Sequence, residues 1–225
     1  MSPEPYAPVM PARSIAQPRA LLLTPGAGSS ASNPSLLAIE QRLPSLTVHR
    51  MDFPYRLAGR RAPDRAPVLL AAVRAGAAAL ADEASCQPEE ILLGGRSMGG
   101  RMCSMAIAEG LPACGLVAIC YPLHPPGKPE SLRIAHLPDL RLPCLFISGT
   151  RDPFGTPDEL RAHTASIPGS VEHHWIENAG HDLQGKDHAI AEIVADWVSR
   201  LCLPAVPTER VITRATKPAA AHPPG

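Results

Sequence analysis

The sequence predicts an α/β fold: a mostly parallel, doubly wound sheet with helices on both faces. Three observations lead there. Short apolar runs alternate with longer amphipathic or Ala-rich segments along nearly the whole core of the chain. The apolar runs are suited to strands covered on both faces, as a parallel sheet requires. Gly-rich and polar clusters fall at the ends of those runs, where ligands collect in such sheets. With 225 residues, the chain suffices for one sizeable domain and is short for two.

The elements follow in order. "RALLLTPG" is a buried strand closed by Pro-Gly. "NPSLLAIEQRL" is a helix with Asn33 as N-cap and Pro34 at its first position. "LTVHRMDF" is β-branched and gives a second strand. "DRAPVLLAAVRAGAAALADEA" is a long helix carrying one costly glycine, Gly76. "EILLGG" is the third strand and "SMGGRMCSMAIAEG" the helix after it. "GLVAICY" and "PCLFISGT" are strands, "TPDELRAHTASI" a helix, "VEHHWIE" a strand and "KDHAIAEIVADWVSRLC" a closing amphipathic helix. The stretch from Tyr121 to Arg141 is the one insertion long enough to shape a pocket, and no large lid is expected. Prolines crowd the ends. Residues 1–18 are expected to be a flexible extension, 19–202 the folded domain and 203–225 a Pro-rich, disordered tail.

Composition narrows the function. Hydrophobic residues make up 45% and charged residues 19%, enough apolar material for a substantial core. Basic and acidic residues balance at 21 each, so no charge excess attracts nucleic acid or anionic lipid. The expected partner is a small-molecule substrate, with no nucleic acid and no membrane. No apolar run approaches the roughly 20 residues of a membrane span, and the first residues lack the apolar stretch of a secretory signal. Six scattered cysteines without a C-x-x-C pair read as small buried thiols kept reduced. These features together place the protein in the cytoplasm.

The chemistry concentrates at "GGRSMGG". Gly95-Arg96-Ser97-Met98-Gly99 fits G-x-S-x-G between a predicted strand and a predicted helix, the context of a nucleophile elbow. Residues two before and two after such a serine crowd its strained backbone, so glycine is required there. The segment lacks both phosphate-loop spacings, G-x-x-x-x-G-K-[ST] and G-x-G-x-x-G. A bland Gly-rich turn is the competing reading.

A serine hydroxyl needs a histidine base and a carboxylate that fixes its tautomer. Asp152 follows a predicted strand in "FISGTRDPFG", and His181 follows the last one in "WIENAGHDLQG". The order Ser, Asp, His is that of α/β enzymes with this elbow. Alternatively Asp152 shapes a turn before Pro153. Asp158, the nearest rival, sits at a helix start, where the dipole accounts for it. His173 and His174 lie within a strand and His188 on a helix. An oxyanion hole calls for the Met98 N–H and a second donor from the loop after the first strand, with Gly26, Ala27 and Gly28 as candidates. Tyr55 and Arg56, in "FPYR" after the second strand, and Arg96 beside the serine form a candidate substrate-binding rim; loop packing and a salt bridge to Asp64 are the alternative for the former. Arg101, on the other flank of the elbow, is a further candidate for holding an anion, with a surface or loop-bracing charge as its alternative.

Together "LLLTPGAGSS", "MDFPYRLAGRRAPDR", "LLGGRSMGGRMCS", "CLFISGTRDPFG" and "NAGHDL" resemble the α/β-hydrolase superfamily. The likeness is to its small, lidless, dienelactone-hydrolase-like members, in the subgroup that includes testis-expressed protein 30 and subunit 3 of the NSL chromatin complex. It covers approximately residues 19 to 202. The resemblance implies Ser97 as nucleophile, Asp152 as acid and His181 as base. It implies hydrolysis of an ester or thioester through an acyl-enzyme, with no cofactor and no metal. Relatives usually read Thr-His-Gly-Ala-Gly after the first strand, and this chain has Thr24-Pro25-Gly26-Ala27-Gly28. Proline there removes an imidazole and a backbone donor from the oxyanion loop. The rival class is a hydrolase-like module that binds a protein partner without catalysis.

Overall fold

The computed structural model describes residues 16–202. The expected tail at 203–225 lies outside the described residues, as does most of the expected extension at 1–18. Pro18 is buried, and the Gln17 amide donates to the Cys202 carbonyl at 3.0 Å. The residues just before position 19 thus pack against the domain.

Among the described residues six strands form one sheet, and every pairing is parallel. They are β1 (Ala20–Thr24), β2 (Thr47–Arg50), β3 (Ile91–Arg96), β4 (Gly115–Ile119), β5 (Cys144–Gly149) and β6 (Val171–Ile176), in the order β2-β1-β3-β4-β5-β6. Side chains alternate across each strand and build two cores. On one face Leu22, Leu93, Leu116 and Phe146 pack under α3 (Ala66–Ala84), α4 (Met98–Ala108) and α5 (Pro157–Thr164). On the other, Leu21, Leu92, Val117 and Leu145 pack under α1 (Pro34–Arg42) and α6 (Asp187–Leu201). β1, β3, β4 and β5 are buried throughout, which is why they read as unbroken apolar runs.

Local signals set the helix ends. Asn33 Oδ1 accepts the Ser35 N–H at 3.0 Å, and Pro34 opens α1. Thr156 and Glu159 form a capping box on α5. Gly76, a cost by propensity, has a packing reason: a Cβ there would sit 3.0 Å from Met51 Sδ and 3.4 Å from a Leu22 methyl. One short helix was not foreseen, α2 (Pro54–Leu57), which starts at Pro54. The 121–141 insertion folds down onto the sheet end, burying Tyr121, Leu123, Leu137 and Leu140. No helix among the described residues is long and apolar enough to cross a membrane.

Candidate active site

Strand order fixes where a site can form. The chain leaves β1 for β2 on one side, then returns to place β3 on the other side of β1. The loops after β1 and β3 therefore lie side by side at the reversal point, with Thr24 in register with Gly95.

Ser97 occupies that point with φ 50° and ψ −116°, a backbone that non-glycine residues rarely adopt. Its N–H donates to Ile119 O at 2.7 Å, and its carbonyl accepts the Arg101 N–H at 3.1 Å. Glycines give it room. A Cβ at Gly95 would lie 2.5 Å from Thr24 O and 2.9 Å from Gly100 N; at Gly99, 2.5 Å from Thr24 O and 2.6 Å from Pro25 O; at Gly100, 2.6 Å from Gly95 O. The elbow is thus wedged against the end of β1.

Two further loops meet above it. Gly149, ending β5, lies so close to the Ala179 carbonyl that only glycine fits. The Thr150 N–H donates to Ile176 O at 3.1 Å and the Arg151 N–H to Ala179 O at 2.9 Å. These bonds bring Asp152 to His181. The Asp152 carboxylate, 1% exposed, accepts His181 Nδ1–H at 2.8 Å and 3.0 Å and the Phe154 N–H at 2.9 Å. An ionised carboxylate there fixes the proton on Nδ1, so Nε2 presents a lone pair. Ser97 Oγ lies 2.8 Å from Nε2 and donates to it. The Phe154 ring covers the imidazole, with centroids 4.0 Å apart. The rival groups are placed elsewhere: Asp158 is 97% exposed and pairs with Arg161, His174 bonds Glu172 at 2.6 Å, His173 bonds Thr164 at 2.9 Å, and His188 is exposed on α6.

On the other side of Ser97 lie the candidate anion donors. Met98 is the first residue of α4, so its N–H has no intrahelical acceptor. Gly26 is nearest the elbow: a Cβ on it would lie 3.6 Å from both Arg96 O and Ser97 Cβ. Gly28 is exposed, with open space around it, leaving Gly26 and Ala27 as the closer pair. The loop is braced at several points. Tyr55 Oη donates to Ala27 O at 2.7 Å, Arg50 to Ala31 O at 2.5 Å, and the Ala31 N–H to Asp52 at 2.8 Å.

These contacts correct the expected substrate rim. Tyr55 is fully buried, and burial raises its phenol pKa; its hydroxyl holds the glycine loop rather than facing a ligand. Arg96 is also buried. Its guanidinium donates to His181 O at 2.9 Å, to Asp182 O and to Ser35 Oγ at 3.3 Å, tying the histidine loop to α1. Arg56 is half-exposed on α2, and its side chain makes no hydrogen bond to a described residue. The Asp64 alternative is realised by Arg60, at 2.7 Å.

One residue at the site had no sequence signal. Cys120, buried with φ 50° at the end of β4, places its sulfur within 4.8 Å of ligand atoms on Asp152 and His181. Burial pushes its thiol up to about 12, so it stays protonated and serves as apolar backing for the carboxylate.

A family model described as an alpha/beta hydrolase domain matches residues 17–197. The chain belongs to the α/β-hydrolase family. Solved structures share its fold at low identity. A dienelactone hydrolase from Anabaena variabilis is 20% identical with a TM-score of 0.66, over 82% of this chain and 87% of that one. An alpha-beta serine hydrolase homologue from Coxiella burnetii is 16% identical at 0.61, over 84% and 86%. The thioesterase RedJ from the Streptomyces coelicolor prodiginine pathway is 19% identical at 0.56, over 85% and 96%.

Proposed function

We propose that this α/β hydrolase is a serine hydrolase, cleaving an ester or thioester of a small cytoplasmic substrate through an acyl-enzyme. The observation that carries the reading is the continuous hydrogen-bonded chain from Asp152 through His181 to a serine held at φ 50°. Ser97 Oγ attacks the substrate carbonyl while His181 Nε2 takes its proton; Asp152 stabilises the imidazolium that forms. Negative charge growing on the carbonyl oxygen is met by the Met98 N–H at the start of α4 and by an N–H of Gly26 or Ala27. His181 then protonates the departing alcohol or thiol. Water, deprotonated by the same imidazole, releases the acid and restores Ser97. Pro25 leaves both glycine-loop donors in place, since the missing N–H is its own. Within the family, we assign the chain to the dienelactone-hydrolase-like group near testis-expressed protein 30 and NSL subunit 3, on the five sequence blocks in order. A strained, fully partnered serine is more than protein binding alone requires, so catalysis is favoured over the binding-module reading.

Steady-state hydrolysis of p-nitrophenyl butyrate and a butyryl thioester tests this. Wild type should turn over at least one, with Asp152→Asn slower by about 10³–10⁴-fold because the imidazole loses its fixed tautomer. Full activity in Asp152→Asn and His181→Gln would move the chemistry elsewhere.

A further inference from the structure

Charge balances over the whole chain but not along it. Residues 56–68, "RLAGRRAPDRAPV", carry four arginines and one carboxylate. They run from α2 into the first turn of α3. Three large hydrophobic side chains stand exposed among the described residues, and two of them fall in this segment: Leu57, 76% exposed, and Val68, 45%. Arg60, Arg61 and Arg65 are exposed as well, and Arg56 is half-exposed. The carboxylates of this stretch are already engaged, Asp64 with Arg60 at 2.7 Å and Asp52 with the Ala31 N–H at 2.8 Å. Arg56, Arg61 and Arg65 pair with no carboxylate among the described residues.

Backbone contacts hold the segment in one compact loop. The Gly59 N–H donates to Arg56 O at 2.9 Å and the Arg60 N–H to Tyr55 O at 2.8 Å, with Gly59 at φ 70°. The Arg60–Asp64 pair closes the return, and the Val68 N–H donates to Arg65 O at 3.0 Å. Unpaired cations and exposed apolar side chains thus share one short stretch of surface. Water solvates the guanidinium groups but leaves Leu57 a standing cost. An oligonucleotide or an acidic peptide would neutralise the arginines and still leave Leu57 in water. The headgroup layer of an anionic bilayer accepts both, with phosphates on the guanidinium forks and the leucine at the acyl boundary. The loop follows β2 at the end of the sheet that carries Ser97. Tyr55, one residue before Arg56, bonds Ala27 O of the glycine loop at 2.7 Å.

We propose that residues 56–68 form a docking surface for an anionic lipid bilayer, with Leu57 entering the headgroup layer and Arg56, Arg61 and Arg65 on the lipid anions. This replaces the expectation of no membrane contact, which rested on the charge of the chain as a whole. It goes beyond the hydrolase reading and does not depend on it. Flotation of the full chain with extruded vesicles tests it. Wild type should bind vesicles carrying about 30% phosphatidylserine and not vesicles of pure phosphatidylcholine. Raising sodium chloride from about 0.05 M to about 0.5 M should release it. Arg61→Gln and Arg65→Gln should each weaken binding about fivefold, and Leu57→Ser should weaken it as well. Leu57→Trp should strengthen it, a gain that loss of folded protein cannot produce. Arg141→Gln, an exposed arginine elsewhere on the surface, should bind as wild type does. No binding, equal binding to both kinds of vesicle, or wild-type affinity in Arg61→Gln, Arg65→Gln and Leu57→Ser overturns the proposal. So does capture of a polyglutamate peptide or an oligonucleotide by a protein that binds no vesicle, which would assign the arginines to another polyanion.

Discussion

Gly95→Ala probes how tightly the nucleophile turn is wedged against the end of β1. The added methyl would lie 2.5 Å from Thr24 O, where ordinary contact begins at 3.4 Å. It would also meet Thr24 Oγ1, which is held by its own hydrogen bond to Gly94 O at 3.0 Å. Backbone must therefore yield by about 0.9 Å, a degree of overpacking that costs roughly 1–3 kcal/mol. The yielding atoms are Thr24, which leads into the glycine loop, and Gly95, which leads into Ser97. Both halves of the reactive constellation shift, and a displacement of about 1 Å typically costs 10²-fold in rate. Urea unfolding gives the first quantity, and aryl-ester hydrolysis per folded molecule the second. Gly28→Ala, where nothing lies within 4 Å, should stay within about 0.5 kcal/mol of wild type. A Gly95→Ala protein with the wild-type midpoint and rate would refute the wedge.

Other perturbations follow from the same contacts. Arg96→Met removes three donors from a buried network and should lower stability by about 2–4 kcal/mol; folded protein should lose kcat with little change in KM, because the histidine loop, not the substrate, is released. Tyr55→Phe leaves Ala27 O without its donor; we expect about 1 kcal/mol of lost stability and a rate loss confined to kcat, read by urea midpoint and steady-state kinetics. His136 and His173 both have pKa values pushed down to about 4, chiefly by burial. The unfolded chain binds their protons near pH 6.5, so stability should fall as pH drops from 6.5 towards 4. The slope is at most about 1.4 kcal/mol per pH unit for each, reduced because both are partly solvated. His136→Gln should flatten the urea-midpoint profile over that window, and an unchanged profile would contradict the assignment.

Much of the fold could be read from the chain because its strands are buried on both faces and its helices are amphipathic, so the two periods separate cleanly. Asn33-Pro34 marked the start of α1 through local chemistry. Ser97 was legible because glycine on both sides has few other uses. Tyr55 and Arg96 were misread for one reason: each is a polar residue next to the site, and sequence does not tell which way a side chain points. Tyr55 turns inward to a carbonyl 28 residues away, and Arg96 reaches carbonyls 85 and 86 residues away. Cys120 gave no signal, since it sits in an apolar run and its neighbours arrive from other strands.

The central claim is that the hydroxyl at position 97 is an activated nucleophile. Treating the full chain with a fluorophosphonate and mapping the adduct by peptide mass spectrometry tests it most directly. We expect one adduct, on Ser97, absent from Ser97→Ala and slowed by orders of magnitude in His181→Gln. An adduct that forms equally in Ser97→Ala, or a folded wild type that forms none, would contradict the account.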